Sequence, residues 1–266
     1  PPATSDPTRN PHTDMIDAQL TTEIFGLFAP GRPDIALRMA SLPIRTTARG
    51  EAALAAEFYV VMHSLAAVVD PNRSRKDQVY RLAEKARAHL PDQSTTAKMY
   101  DFVEGRYRAG VPWEQARDEV YQRYQVEQMD GYDITSRGLY CNGCFASGIN
   151  FAASIISLLY GEGDYRETVK IAVLAGWDAD NPAATWGGLL GFLAGRRALE
   201  RLLGRTLSET FDIHRTRGGC PGNGLDSFPD MATTGLAVVD RVVTEEMNGR
   251  MDASNASWLV PRLTGE

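Results

Sequence analysis

The chain has 266 residues, with 28 Lys and Arg against 34 Asp and Glu, a formal net charge of −6, 43% hydrophobic residues and 23% charged ones. That balance excludes disorder as the main state and leaves enough apolar residues for a sizeable core. The modest acidity argues against a broad electrostatic grip on nucleic acid, which needs a basic face, though not against a small anionic ligand held locally.

The chain opens Pro1-Pro2-Ala3-Thr4-Ser5, without Met and without a charged segment followed by an apolar one. Residues 1–13 have little pattern. An apolar segment at 20–28 is followed by the turn Pro30-Gly31-Arg32-Pro33. Pro33 and Asp34 suit the first turn of a helix that reads Ile35, Leu37, Met39, Ala40 and Leu42. Residues 50–69 repeat apolar positions at spacings of three and four (Leu54, Phe58, Val61, Met62, Leu65, Val69). Ser74 caps an amphipathic helix to Leu90, Ser94 starts one through Tyr107, and Pro112 starts another over 113–126. Helices are expected over 150–160 and 165–175, separated by Gly161-Glu162-Gly163-Asp164, then over 183–203 and 229–247. Segments 128–144 and 216–227 are less regular, and the tail 252–266 is weakly patterned. No run alternates as a strand would beyond about five residues. The expectation is an all-α protein forming a single domain over 1–266.

The longest apolar runs, 151–160 and 186–194, fall short of the ~20 residues of a spanning helix, so no membrane partner is expected. Three cysteines, an odd number, argue against a disulfide framework and for a reducing, cytoplasmic location.

The stretch that carries chemistry is Ala175-Gly176-Trp177-Asp178-Ala179-Asp180-Asn181-Pro182-Ala183-Ala184. Gly176 ends one helix, and Asn181 with Pro182 reads as the cap and first turn of the next. Asp178 and Asp180 flank that helix start between two apolar segments. Carboxylates drawn toward a core need a cation or strong donors. One reading is a Mg²⁺ or Mn²⁺ site built on hard oxygens; the other is an acidic capped helix start. Gly187, Gly191 and Gly195 fall on one face, and with Gly188 each costs ~1 kcal/mol against Ala, which predicts close approach to another backbone.

This stretch resembles the C-terminal signature of the ADP-ribosylglycohydrolase family, Gly-x-Asp-x-Asp-Thr/Ser followed by Ala and a Gly-rich helix. The resemblance extends back through 151–175 and, more loosely, through Ile16-Asp17-Ala18-Gln19-Leu20 to Val69, about three quarters of the chain. It implies a compact multi-helix orthogonal bundle that holds two Mg²⁺ or Mn²⁺ ions between helices. It implies hydrolysis of an N- or O-glycosidic bond of a small-molecule or protein-attached ADP-ribosyl substrate. Asp178 and Asp180 would be metal ligands, and Asn181 would stand at the Thr/Ser ligand position. Asn181 departs from the motif: its carbonyl suits a hard cation, but capping wants the same oxygen. The family's N-terminal Gly-Asp and Thr/Ser-Asp-Asp-Thr segments have no match here; Thr13-Asp14-Met15 is the nearest echo. The chain therefore reads as the family with its first part removed. The remaining ligands would come from an upstream segment or a second chain. A helical binding or scaffold protein that kept the fold but lost half of the metal site is the alternative. An isoprenoid-synthase-like use of Asp-x-Asp is disfavoured by the lack of an Asp-Asp-x-x-Asp run.

Other features have plainer readings. Cys141-Asn142-Gly143-Cys144 lacks a second ligand pair beyond Cys220 and His214, and reads as two ordinary thiols. His63 reads as core or rim, and His12, His89 and His214 receive no role. Arg45, Thr46, Thr47, Arg49 and Glu51 could grip a diphosphate but read better as a helix cap with surface charges. Gly218, Gly219, Gly222 and Gly224 with Asn223 could offer amides to phosphate; a surface loop is the default. Tyr107, Tyr121 and Tyr124 read as a packing surface, and 73–87 as a solvated face.

Overall fold

In the computed structural model, which describes residues 6, 8–10, 12–133, 144–213, 224–252, 254 and 257–261, side-chain caps begin several helices where the sequence places them. Ser74 Oγ accepts the N–H of Asp77 at 3.1 Å, and Ser94 Oγ that of Ala97 at 3.1 Å. These bonds satisfy donors that a helix start leaves open. Asp164 does the same for Glu167 at 2.8 Å.

The helices are α1 (Asp17–Thr21), α2 (Ile24–Phe28), α3 (Pro33–Thr47), α4 (Glu51–Ala66), α5 (Arg75–His89), α6 (Thr95–Arg108), α7 (Trp113–Val120), α8 (Ser147–Tyr160), α9 (Tyr165–Leu174), α10 (Asp180–Ala194), α11 (Arg196–Leu203) and α12 (Phe228–Glu245). Two antiparallel hairpins pair β1 (Thr210–Asp212) with β2 (Leu225–Ser227) and β3 (Arg250–Asp252) with β4 (Ser257–Leu259). The protein is all-α in class, since each strand has only 3 residues. Among the described residues no helix is long and apolar enough to cross a membrane.

Packing divides the chain into two compact units, Pro1–Leu193 and Ala194–Glu266. The second unit holds α11, α12 and both hairpins. Its α12 buries Val239, Val242 and Val243, and Trp258 Nε1–H of β4 donates to Asp240 at 2.8 Å.

The first unit is organised around α4 and α8, whose residues are apolar nearly all round and therefore buried. Phe58 of α4 meets Phe151 of α8 edge to face at 5.1 Å between ring centres, and Tyr59 Oη lies 2.6 Å from Ser154 Oγ. Trp186 brings α10 onto this core. It is fully buried, its ring centre lies 5.1 Å from that of Tyr59, and its Nε1–H donates to the Ser154 carbonyl at 2.9 Å. Trp186→Phe keeps the aromatic burial but loses the donor. We expect it to cost about 1–2 kcal/mol in urea unfolding.

Several boundaries differ from the sequence pattern for identifiable reasons. α3 continues through Pro43 to Thr47, because Ile44 is buried beyond the proline. Residues 113–126 split into α7 and a π-helical turn, Tyr121–Val126. The expected helix over 183–203 breaks at Gly195, whose φ of 78° is left-handed. At Gly187 and Gly188, α10 does not press on a neighbouring backbone. A methyl at Gly187 would meet only the side chains of Val169 and Tyr165, at 3.6 and 3.7 Å, and at Gly188 it would meet open space. Close approaches occur elsewhere: at Gly26 of α2 a methyl would lie 2.7 Å from His63 Cβ and 2.8 Å from the Ser64 nitrogen of α4, and at Gly161 it would lie 2.6 Å from Thr168 Cα.

Candidate functional site

The loop between α9 and α10 turns through two successive left-handed residues, Gly176 (φ 100°) and Trp177 (φ 54°). For a bulky residue that conformation costs roughly 1–2 kcal/mol, so its surroundings must hold it. They do so from two sides. Trp177 Nε1–H donates to Gln125 Oε1, which the π-helical turn presents. The Asp178 N–H donates to Asn150 Oδ1 of α8 at 3.0 Å. The loop is thus tied to two other elements just before it delivers its carboxylates.

Asp178 and Asp180 come together there. Their carboxyl groups are within hydrogen-bond reach of each other, and burial together with the neighbouring Asp180 pushes the Asp178 carboxyl up to about 6. The ionised Asp178 carboxylate is disfavoured beside a second carboxyl group, an environment that a divalent cation would relieve. The sign for stability follows from linkage. The folded state binds the proton more tightly than the unfolded chain, whose Asp titrates near 3.8. In chelator-treated protein this contribution is present below about pH 4 and is lost as the pH rises through about 6. Solvent access to the pair keeps the loss to roughly 1–2 kcal/mol. Thermal melts across that range should show the decline, and Asp180→Asn should flatten it.

Asn181 is not the cap. α10 already includes Asp180, so Asn181 lies inside the first turn, with its N–H donating to the Asp178 carbonyl at 3.2 Å. Its side chain is buried, and Nδ2 has no hydrogen-bond partner. Among the described residues no group of three or more His, Cys, Asp or Glu side chains could hold a metal ion. The carboxyl pair is therefore an incomplete donor set by itself.

Asn150 is the residue that sequence reasoning passed over, treating it only as the start of a helix. It is 2% exposed, and Nδ2 donates to the carbonyls of Cys144 and Ala146 at 2.6 and 2.9 Å while Oδ1 holds Asp178. A polar amide heading an apolar helix was the available signal. The same end of α8 receives the N-terminal segment: the Ser147 N–H donates to the Asp14 carbonyl at 2.8 Å, and Met15 bridges to Ala146. Asp14 lines a cavity of about 90 Å³ with Glu51, Thr95, Thr96, Tyr132 and Ser147, and neither Asp178 nor Asp180 lines it.

Cys144 is disulfide-bonded, which corrects its reading as an ordinary thiol. An odd cysteine count excludes a complete framework but not a single bond, so the inference to a reducing compartment loses its support. Cys141, Cys220, His214, Gly218, Gly219, Gly222 and Asn223 lie outside the described residues. The polar junction after α3 supports the capping reading: Glu51 accepts the Thr96 N–H at 2.8 Å and its Oγ1–H at 2.7 Å, closing the start of α6. Tyr107 packs edge to face on Tyr160 at 5.1 Å, and Tyr124 is fully buried. Over 73–87, Asp77 pairs with Arg73 and Arg81 in solvent.

No curated protein and no solved structure matches this chain. A family model does: that of ADP-ribosylglycohydrolase matches residues 4–228, which include every element of the first unit and the whole Asp178–Asn181 loop. This match supports a glycohydrolase kind of function and ADP-ribosylated substrates, and the chain belongs to the ADP-ribosylglycohydrolase family.

Proposed function

We propose that the chain is a divalent-cation-dependent hydrolase that cleaves an N- or O-glycosidic bond of an ADP-ribosyl adduct or a related ribosyl compound. Asp178 and Asp180 would hold Mg²⁺ or Mn²⁺, and Asn181 would offer its side-chain oxygen. The single observation behind this reading is the convergence of the Asp178 and Asp180 carboxyls at the head of α10. A cation held there would supply Lewis acidity toward a ribose hydroxyl or a water near the anomeric carbon. The chain's own contribution is positioning. Asn150 fixes the backbone of Asp178, Gln125 fixes Trp177, and Trp186 fixes α10. Two carboxylates and an amide do not fill an octahedral shell, so water, substrate hydroxyls or a second chain would complete it and any second ion's shell.

The second reading, a non-catalytic helical binding protein, is favoured by the lack of a third acidic, His or Cys ligand among the described residues. Calorimetric titration of Mn²⁺ and ADP-ribose, with an assay for released ADP-ribose, separates the two. Binding with turnover supports the hydrolase. Ligand binding without turnover supports the second reading. If neither Mn²⁺ nor ADP-ribose binds, the hydrolase proposal fails.

A further inference from the structure

Five residues beyond Asp180, Thr185 faces a second cavity of about 320 Å³, whose lining includes Glu23, His63, Leu20, Ile24 and Phe192. Its floor is polar but short of donors. Glu23 Oε1 accepts the Thr185 hydroxyl at 3.4 Å, while Glu23 Oε2 is buried with no hydrogen-bond partner. Burial raises the Glu23 carboxyl above its usual range, the expected response of an acid with no cation beside it.

His63 is 4% exposed, and its Nδ1 lies 2.8 Å from the Tyr59 carbonyl. A carbonyl can only accept, so Nδ1 carries the proton. Burial pushes the imidazole down to about 4, so at neutral pH the ring is uncharged and Nε2 keeps its lone pair. Glu23, His63 and Thr185 all line this one cavity, and each brings an acceptor to it or just beneath its surface: the buried Oε2, Nε2 and the lone pairs of Oγ1. No Lys or Arg lines it. The rim is apolar and open, with Leu20, Ile24 and Phe192 exposed by 40%, 42% and 48%.

We propose that this cavity binds a small organic cation, a primary ammonium on a short aryl or alkyl tail. An ammonium has three donors and no acceptor, which matches three acceptors that lack a donor. Its charge compensates an ionised Glu23 through a charge-assisted bond. The tail covers the exposed apolar side chains of Leu20, Ile24 and Phe192. An anion would meet a carboxyl group with no cation to offset it. This site does not depend on a metal at Asp178.

Calorimetric titration of the full chain with benzylamine near neutral pH, with benzyl alcohol as the neutral comparison, tests the proposal. Benzylamine should bind saturably and at least about tenfold more tightly than the alcohol. Glu23→Gln should weaken it by about 10- to 100-fold while retaining the Thr185 contact. Gly188→Leu should abolish it. Gly188 is an exposed helical position on the cavity with open space at Cβ, so a leucine fills the cavity without entering the core. Circular dichroism confirms that each variant is folded. Absence of benzylamine binding, equal affinity for the alcohol, or full affinity in folded Gly188→Leu or Glu23→Gln would overturn it.

Discussion

Asp178→Ala should weaken Mn²⁺ binding by at least about 100-fold and remove glycosidic hydrolysis, with the fold intact. Loss of a supporting partner of a metal ligand already costs 10- to 100-fold, and loss of the ligand costs more. The effect on the metal-free protein has the opposite sign. Above about pH 6 the ionised Asp178 carboxylate is held in a partly buried place beside Asp180, so the alanine variant should melt at the same temperature or higher in chelator. Were Asp178 only an acidic helix start, the variant would instead lose up to about 1 kcal/mol of dipole stabilisation and bind Mn²⁺ as before. A loss in metal affinity without any loss in apo stability therefore separates a ligand from a cap.

Asn150→Leu has the largest expected effect on the scaffold. The substitution removes three hydrogen bonds, at 2.6, 2.9 and 3.0 Å, from a residue 2% exposed. Each unsatisfied partner costs about 1–3 kcal/mol when it stays buried, and partial access of water to the loop reduces the sum to about 2–4 kcal/mol. For a domain of this size that lowers the melting temperature by roughly 5–15 °C. Because Oδ1 holds the Asp178 N–H, Mn²⁺ affinity should fall too, by about 10- to 100-fold. Asn150→Asp retains the acceptor but loses both donors and adds a third carboxylate beside the pair. It should destabilise the apo protein most above pH 6.

The helices were legible in the sequence because their signals are local. Ser74, Ser94 and Asp164 cap within three residues of themselves, and Pro33 fixes its own first turn. The Asp-x-Asp loop was legible for the same reason, as two acids before a proline-started helix. What the sequence concealed depends on partners far along the chain. Asn150 acts on a backbone N–H 28 residues away, and Gln125 meets Trp177 across 52 residues, from a π-helical turn that no apolar period marks. Gly187 and Gly188 of α10 misled because spacing gives a face but not what lies opposite it. Close approaches fall instead at glycines with no such spacing, such as Gly26 and Gly161. The hairpins β1–β2 and β3–β4 are too short for alternation to register.

Calorimetric titration of Mn²⁺ into the full chain near neutral pH, repeated with Asp178→Ala and Asp180→Ala, tests the central claim most directly. The carboxyl pair predicts saturable binding to the parent chain, strengthened by ADP-ribose and lost in both variants. Binding retained in both folded variants, or no binding to the parent chain with ADP-ribose present, would contradict it.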